Sequence, residues 1–250
     1  MTQHPTGLPV SSPLPLEGTF NTRDLGGYPT STGALTKSHV FLRSDGLSAL
    51  TDSDIRYLSD YGVRCIIDLR TEEEVHASPC PIGPEYQIRY HHVPLADSLS
   101  PESLAASDEG RMADLYTALL DHASHTIVRI MRLFLAYRSH VTLFHCAAGK
   151  DRTGVISMLL LLLAGVPRGH VVADYAASAA NLAPLFQHLI SQLAGQGLTV
   201  PDFALASDAE DMELTISYLE RTWESAGQYL LKAGMTEEEI SRLRAMLNPA

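Results

Sequence analysis

The side chains best able to do chemistry are packed into ten consecutive positions, HCAAGKDRTG at 145–154, which hold a histidine and a cysteine followed after five residues by an arginine. The run before them, VTLFH at 141–145, reads as a β-strand, and the apolar run over 153–165 reads as a helix. A loop that enters a helix N-terminus turns free backbone N–H groups toward one point, where the helix dipole adds about half a positive charge. Ala147, Ala148 and Gly149 are small enough for the backbone to curl around three phosphoryl oxygens, an anion nest that bulkier side chains would obstruct. Arg152 can close that nest, because a planar guanidinium grips two oxygens at once where a lysine offers a point charge. Cys146 stands at its foot, where the same amides and dipole favour thiolate over thiol. It is the candidate nucleophile for in-line attack on phosphorus, giving a phosphocysteine that water then hydrolyses. Thr153 is placed either to donate a hydrogen bond to the departing sulfur or to cap the helix. His145 is expected to orient the cysteine through hydrogen bonds. A nucleotide-binding P-loop is excluded: Phe144 stands where the leading glycine belongs, and Asp151 follows Lys150 where a hydroxyl is needed.

The elements that must position this loop alternate between strand and helix. HVFLR at 39–43 reads as a short strand, and Thr51 with Asp54 forms a capping signal for a helix to about Tyr61. VRCIIDL at 63–69 is a nearly continuous apolar run of β-favouring residues, as in a strand covered on both faces. YQIRYHHV at 86–93 is a third candidate strand. Residues 96–109 read as loop, and residues 111–137 as one or two amphipathic helices. Beyond Gly169 the strand signals stop. Helices are predicted near 170–194, 208–225 and 236–247, the last marked by the Thr236 and Glu239 capping box. The fold class is therefore α/β, a parallel-rich central sheet flanked by helices with a helical C-terminal part. Residues 1–17, punctuated by proline, read as a flexible arm, and 18–250 as a single domain with 170–250 as its helical lid or extension.

The chain of 250 residues carries a net charge of -11, which argues against nucleic acid as a partner and requires a local positive pocket for any anionic substrate. Three cysteines, at 65, 80 and 146, do not form the framework of a small secreted domain, so a reducing compartment is the simpler expectation. The first residues lack the charged and apolar regions of a signal peptide, and the longest apolar stretch, 155–166, is too short to span a bilayer. A cytoplasmic protein, or one exported without a classical signal, and a monomer are expected. His91 and His92 alternate across a strand and cannot readily share one metal, so neither metal nor cofactor is expected. Cys65 reads as core.

The loop resembles that of the protein tyrosine phosphatase superfamily, and within it the bacterial atypical group with H-C-x-x-G-K-D-R-T. FNTRDLGGY at 20–28, FLRSDGLSALT at 41–51, CIIDLRTEEE at 65–74 and DYAAS at 174–178 are similar to that group's segments in the same order. The resemblance covers roughly residues 18–180 and implies activity on phosphotyrosine, often on phosphoserine and phosphothreonine, and on phosphoinositides. It also implies C-terminal helices that cover the site as a lid. Three aspartates compete as the general acid that protonates the leaving oxygen. Asp151, inside the loop, is favoured because the group is thought to use an aspartate there. Asp97 is similar in chain position to the mobile-loop acid of ordinary tyrosine phosphatases. Asp68 ends a strand at the edge where such sheets place their sites, but a structural pair with Arg70 or Arg23 would serve equally. Lys150 would add a cation at the rim for a substrate with more than one phosphate. Arg23, Asp24 and Arg43 are expected to brace the loop or bind substrate, while Asp174 and Tyr175 pack behind it.

The leading expectation is thus a cysteine-dependent phosphatase acting on a phosphorylated protein or phosphoinositide. A phosphatase of a small metabolite would use the same loop. A module that binds phospholigands without turnover would not need a nucleophilic thiolate.

Overall fold

Phe41 and Leu42, Ile66 and Ile67, and Leu143 and Phe144 are chain neighbours that point to opposite faces of their strands, and all six are fully buried. A sheet made of such pairs must be covered on both sides. The protein is described by a computed structural model over residues 11–95, Leu99, 111–194 (main chain alone over 188–194) and 205–249. Among the described residues the sheet has five strands: β1 (Arg23–Asp24), β2 (Phe41–Ser44), β3 (Val63–Asp68), β4 (Arg89–His92) and β5 (Val141–His145). Their order is β1-β2-β5-β3-β4, with β1 antiparallel to β2 and the other pairings parallel.

One face packs on helix α1 (Asp52–Tyr61), where Leu42, Ile66 and Leu143 meet Ile55, Leu58 and Leu14. The opposite face, carrying Phe41, Ile67 and Phe144, is covered by the larger helical layer. After α2 (Glu72–Ala77) that layer comprises α3 (Met112–His122), α4 (Ser124–Ala136), α5 (Arg152–Leu163), α6 (Arg168–Ala194), α7 (Ala209–Trp223), α8 (Ala226–Lys232) and α9 (Glu237–Leu247). Thr51 with Asp54, Thr71 with Glu74 and Thr236 with Glu239 close reciprocal capping boxes that fix where α1, α2 and α9 begin. Helix α5 is buried all round except at Leu162, the expectation for a helix apolar on every side. No helix among the described residues is long and apolar enough to cross a membrane.

Several expectations change. Over its described part, 11–17, the arm is docked: Leu14 is buried and bonded to the Thr22 carbonyl, and the Glu17 and Gly18 amides donate to the Asp54 carboxylate. The C-terminal helices belong to the core as well as to any lid, because Met212, Ile216, Leu230 and Leu243 share one apolar cluster with Phe41 and Phe144. The strand expected over 86–93 shortens to β4, since Pro84–Tyr86 form a 3-10 turn and Gln87 is left-handed. Helix α8, which begins at the Ser225 cap, has no counterpart in the sequence reading.

The pairing register has a direct consequence for function. It places Ser44, His145, Asp68 and His92 in one row at the carboxyl ends of the four parallel strands, with β5 in the middle. Cys146 is therefore the first residue beyond the central strand, in the crevice where open α/β sheets bind ligands.

Candidate active site

The shape of the 146–151 loop follows from where its carbonyl oxygens go. Ala147 O accepts from Gly46 N at 2.8 Å, Ala148 O from Asn21 Nδ2 at 3.2 Å, and Gly149 O from both Asn21 Nδ2 at 3.2 Å and the Arg43 guanidinium at 2.6 Å. In a trans peptide the next N–H points the opposite way. Three consecutive carbonyls tied to the body of the protein thus turn the amides of Ala148, Gly149 and Lys150 away from it. Gly149 makes the curve possible: its φ is +64°, and a Cβ there would lie 2.3 Å from the Ser44 carbonyl oxygen. Asn21 is held by Asp45, whose carboxylate accepts the Phe20 and Asn21 amides at 2.9 and 3.0 Å.

Behind this loop lies a buried ionic buttress. Asp174, on α6, pairs with Arg23 Nε at 2.9 Å and with the Arg43 guanidinium, and accepts the Tyr28 hydroxyl at 2.7 Å. Burial opposes ionisation of Asp174, but the two arginines outweigh it and bring the carboxyl down to about 2. Arg23 also bonds Asn21, so α6, the segment 21–23 and the loop are one network. Arg23 and Arg43 are fully buried and brace the loop from the rear, which removes them from the candidate substrate-binding set. Asp24 leaves that set too: its carboxylate is spent on the Gly26 and His39 amides and the Tyr61 hydroxyl, fixing the turn after β1. Tyr175 packs behind the cradle as expected, its ring against Gly154.

On the front side Cys146 is almost fully buried. Arg152, the first residue of α5, donates from both terminal nitrogens to Glu74, at 2.6 and 2.7 Å. Its Nε is buried without a partner among the described residues, as is Thr153 Oγ1. Thr153 does not cap the helix, since the N-cap position belongs to Asp151. Burial opposes the charge of Arg152, but the Glu74 hydrogen bonds, with Cys146 and Asp151 nearby, more than offset it and hold the guanidinium firmly protonated. Glu74 was not singled out in the sequence. The signal was the capping box Thr71–Glu74 directly after β3: one carboxylate both caps α2, through Thr71 N at 2.7 Å, and orients Arg152. His145 directs Nδ1 to the Cys146 carbonyl at 3.1 Å, and its Nε2 lies 3.4 Å from Asp68.

The candidate acids separate by their hydrogen bonds. Asp68 is bound by Arg70 through both oxygens and by the Tyr90 hydroxyl at 2.6 Å. Its burial is outweighed by these groups and by His145, so the carboxyl is held far below the usual range and cannot carry a proton near neutrality. Asp68 is thereby removed as an acid and stands as the structural partner of Arg70. Asp97 lies outside the described residues. Asp151 is nearly buried, accepts the Tyr116 hydroxyl on Oδ1, and makes no cap bond to its own helix. Lys150 is not an open rim cation: it is fully buried, with Nζ donating to Ala206 O at 2.5 Å and lying 3.3 Å from Asp151 Oδ1. His91 and His92 bond separately, to the Tyr137 hydroxyl and the Arg70 carbonyl.

A strand-to-helix loop with its carbonyls tied back, and beside it an arginine held ionised by a carboxylate, has the chemistry suited to a phosphoryl group. The chain belongs to the tyrosine phosphatase family, whose model matches residues 14–248, and is a protein-tyrosine phosphatase. It is 29% identical over 231 residues to a tyrosine-protein phosphatase of Nostoc commune, covering 89% of this chain and 79% of that one. A triple specificity protein phosphatase of Mycobacterium tuberculosis, PtpB, is 27% identical over 275 residues, covering 93% and 98% of the two chains. A putative tyrosine-protein phosphatase of Cupriavidus necator is 27% identical over 237 residues, covering 90% and 84%.

Proposed function

We propose that the chain hydrolyses phosphotyrosine through a phosphocysteine on Cys146, with Arg152 as phosphate clamp and Asp151 as general acid. The observation that carries this reading is the anchoring of the Ala147, Ala148 and Gly149 carbonyls to the body of the protein, which turns the three following amides away from it. The thiolate attacks phosphorus in line. The P–O ester bond breaks as Asp151 delivers its proton to the leaving oxygen, and the S–P bond forms. Water then attacks phosphorus, passing a proton to Asp151 while the thiolate leaves, and inorganic phosphate is released. The loop amides and Arg152 stabilise the charge on the equatorial oxygens in both steps, the role of a preorganised oxyanion site. Glu74 takes one N–H from each terminal nitrogen of Arg152 and so holds the fork rigid before substrate arrives, while Nε, which has no partner among the described residues, and the second N–H of a terminal nitrogen are available to two phosphoryl oxygens. Thr153 Oγ1, buried without a hydrogen bond among the described residues, suits the departing sulfur in the second step.

Phosphoserine and phosphothreonine follow from the same chemistry and from the triple specificity in the name of the mycobacterial relative. Phosphoinositide ranks behind them, because the Lys150 ammonium that would meet a second phosphate is engaged by Ala206 and Asp151. The test is phosphate release from p-nitrophenyl phosphate, phosphotyrosine peptide, phosphoserine peptide and phosphatidylinositol 3-phosphate, by wild type, Cys146→Ser and Asp151→Asn. The expected result is turnover best on phosphotyrosine peptide and abolished in Cys146→Ser. Tight binding without turnover would mean a phospholigand-binding module, and neither binding nor turnover on this panel would mean a dedicated metabolite phosphatase.

A further inference from the structure

Asp151 occupies the position before a helix where an aspartate ordinarily turns its carboxylate onto the helix's own N–H groups. Here it makes no such bond. Its Oδ1 instead receives the Tyr116 hydroxyl from α3 at 2.5 Å and faces Lys150 Nζ at 3.3 Å, while Oδ2 takes no hydrogen bond among the described residues. Tyr116 is fully buried, and its hydroxyl oxygen lies 2.7 Å from that of Tyr175, the two rings meeting edge to face. A phenol has one proton. With the Tyr116 proton on Asp151, the Tyr175 proton must lie on Tyr116, giving a directed chain Tyr175 to Tyr116 to Asp151. Burial, and after it the charge of Asp151, keeps both phenols protonated, so both remain donors.

We propose that Tyr116, backed by Tyr175, is a positioning residue for proton transfer: by occupying Oδ1 it confines the transferable proton to Oδ2 and keeps the carboxyl off its own helix. This rests on Asp151 being the general acid. A carboxyl pinned through one oxygen presents the other in a single orientation, which is the geometric requirement for protonating a leaving oxygen within hydrogen-bond reach. The effect must then depend on how much the leaving group needs a proton. A nitrophenolate leaves readily without one; an alkoxide does not.

The experiment measures kcat/KM for p-nitrophenyl, phenyl and alkyl phosphates with the full chain as wild type, Tyr116→Phe, Tyr175→Phe, Asp151→Asn and the double variant of Tyr116 and Asp151. Phenylalanine keeps both rings packed. Tyr116→Phe is expected to lose on the order of 10-fold on alkyl phosphate, part of the ~10² to 10⁴ that a general acid supplies, and little on p-nitrophenyl phosphate. Tyr175→Phe should lose less in the same pattern, and it carries the test if Tyr116→Phe does not fold. The double variant should be no worse than Asp151→Asn. An equal loss on all three substrates, or full additivity in the double variant, overturns the positioning role. If Asp151→Asn itself leaves the dependence on leaving group unchanged, the acid assignment fails and the positioning role with it.

Discussion

Asp174 and Asp151 serve the same loop and show how one residue type is put to two uses. Behind the loop, Asp174 has both oxygens taken by Arg23, Arg43 and Tyr28, and its carboxyl is pressed down to about 2. In front, Asp151 has one oxygen held by Tyr116 and Lys150 and the other without a hydrogen bond among the described residues. A saturated carboxylate is a strut, since no valence is left for a proton. A carboxylate tied through one oxygen can carry a proton on the other. Asp68 belongs with Asp174 by this criterion, which is why its place at a strand's carboxyl end does not make it an acid.

The largest effect should come from the strut. Asp174→Asn leaves two buried guanidiniums without their counter-charge, a change that typically costs roughly 3 to 5 kcal/mol, and denaturant unfolding should show a loss of that size. A loss under about 1 kcal/mol would mean that the two arginines are neutralised elsewhere. The pH dependence has a definite sign. The folded Asp174 binds its proton less readily than an unfolded aspartate, so its contribution is fully present above about pH 4. It is lost as pH falls toward about 2, and the acid limb of wild-type stability should be steeper there than that of Asp174→Asn.

The front carboxylate should behave in the opposite way. Asp151→Asn is expected to lower turnover of phosphotyrosine peptide by about 10² to 10⁴-fold, while the midpoint of denaturant unfolding moves little. A large stability loss with modest kinetic loss would reverse the roles assigned to the two aspartates.

How much of this could be read from the chain depends on distance along it. The cradle was legible because strand, loop and helix are contiguous, so β5, Cys146, Gly149 and Arg152 follow from one run of residues. The parallel-rich sheet and its two buried faces are legible from apolar strands such as 63–68, whereas the strand order is not. What escaped was pairing at long range. Glu74 meets Arg152 from 78 residues away, Tyr116 meets Asp151 from 35, and Arg23 meets Asp174 from 151. No local pattern encodes these pairs, which is why the sequence leaves Asp24, Arg23 and Arg43 open between bracing the loop and binding substrate when their charges are spent inside the fold. Lys150 reads as a rim cation in the sequence because the segment that covers it, at Ala206, is 56 residues distant.

A smaller effect would sharpen the contrast from the side of Glu74. Glu74→Gln keeps the shape but replaces one acceptor of the Arg152 fork with a donor. The expected result is a fall in kcat/KM and in affinity for inorganic phosphate on the order of tenfold, the scale of one charge-assisted hydrogen bond. Unchanged phosphate affinity would show that Arg152 is positioned without Glu74.

The most direct measurement is rapid acid quench of wild-type protein turning over p-nitrophenyl phosphate, followed by mass spectrometry of the peptide that contains Cys146. The expected result is one phosphoryl group on Cys146, present during turnover, gone when substrate is exhausted, and missing throughout in Cys146→Ser. Full turnover by Cys146→Ser, or a phosphoryl group found on a residue other than Cys146, would contradict the cysteine mechanism.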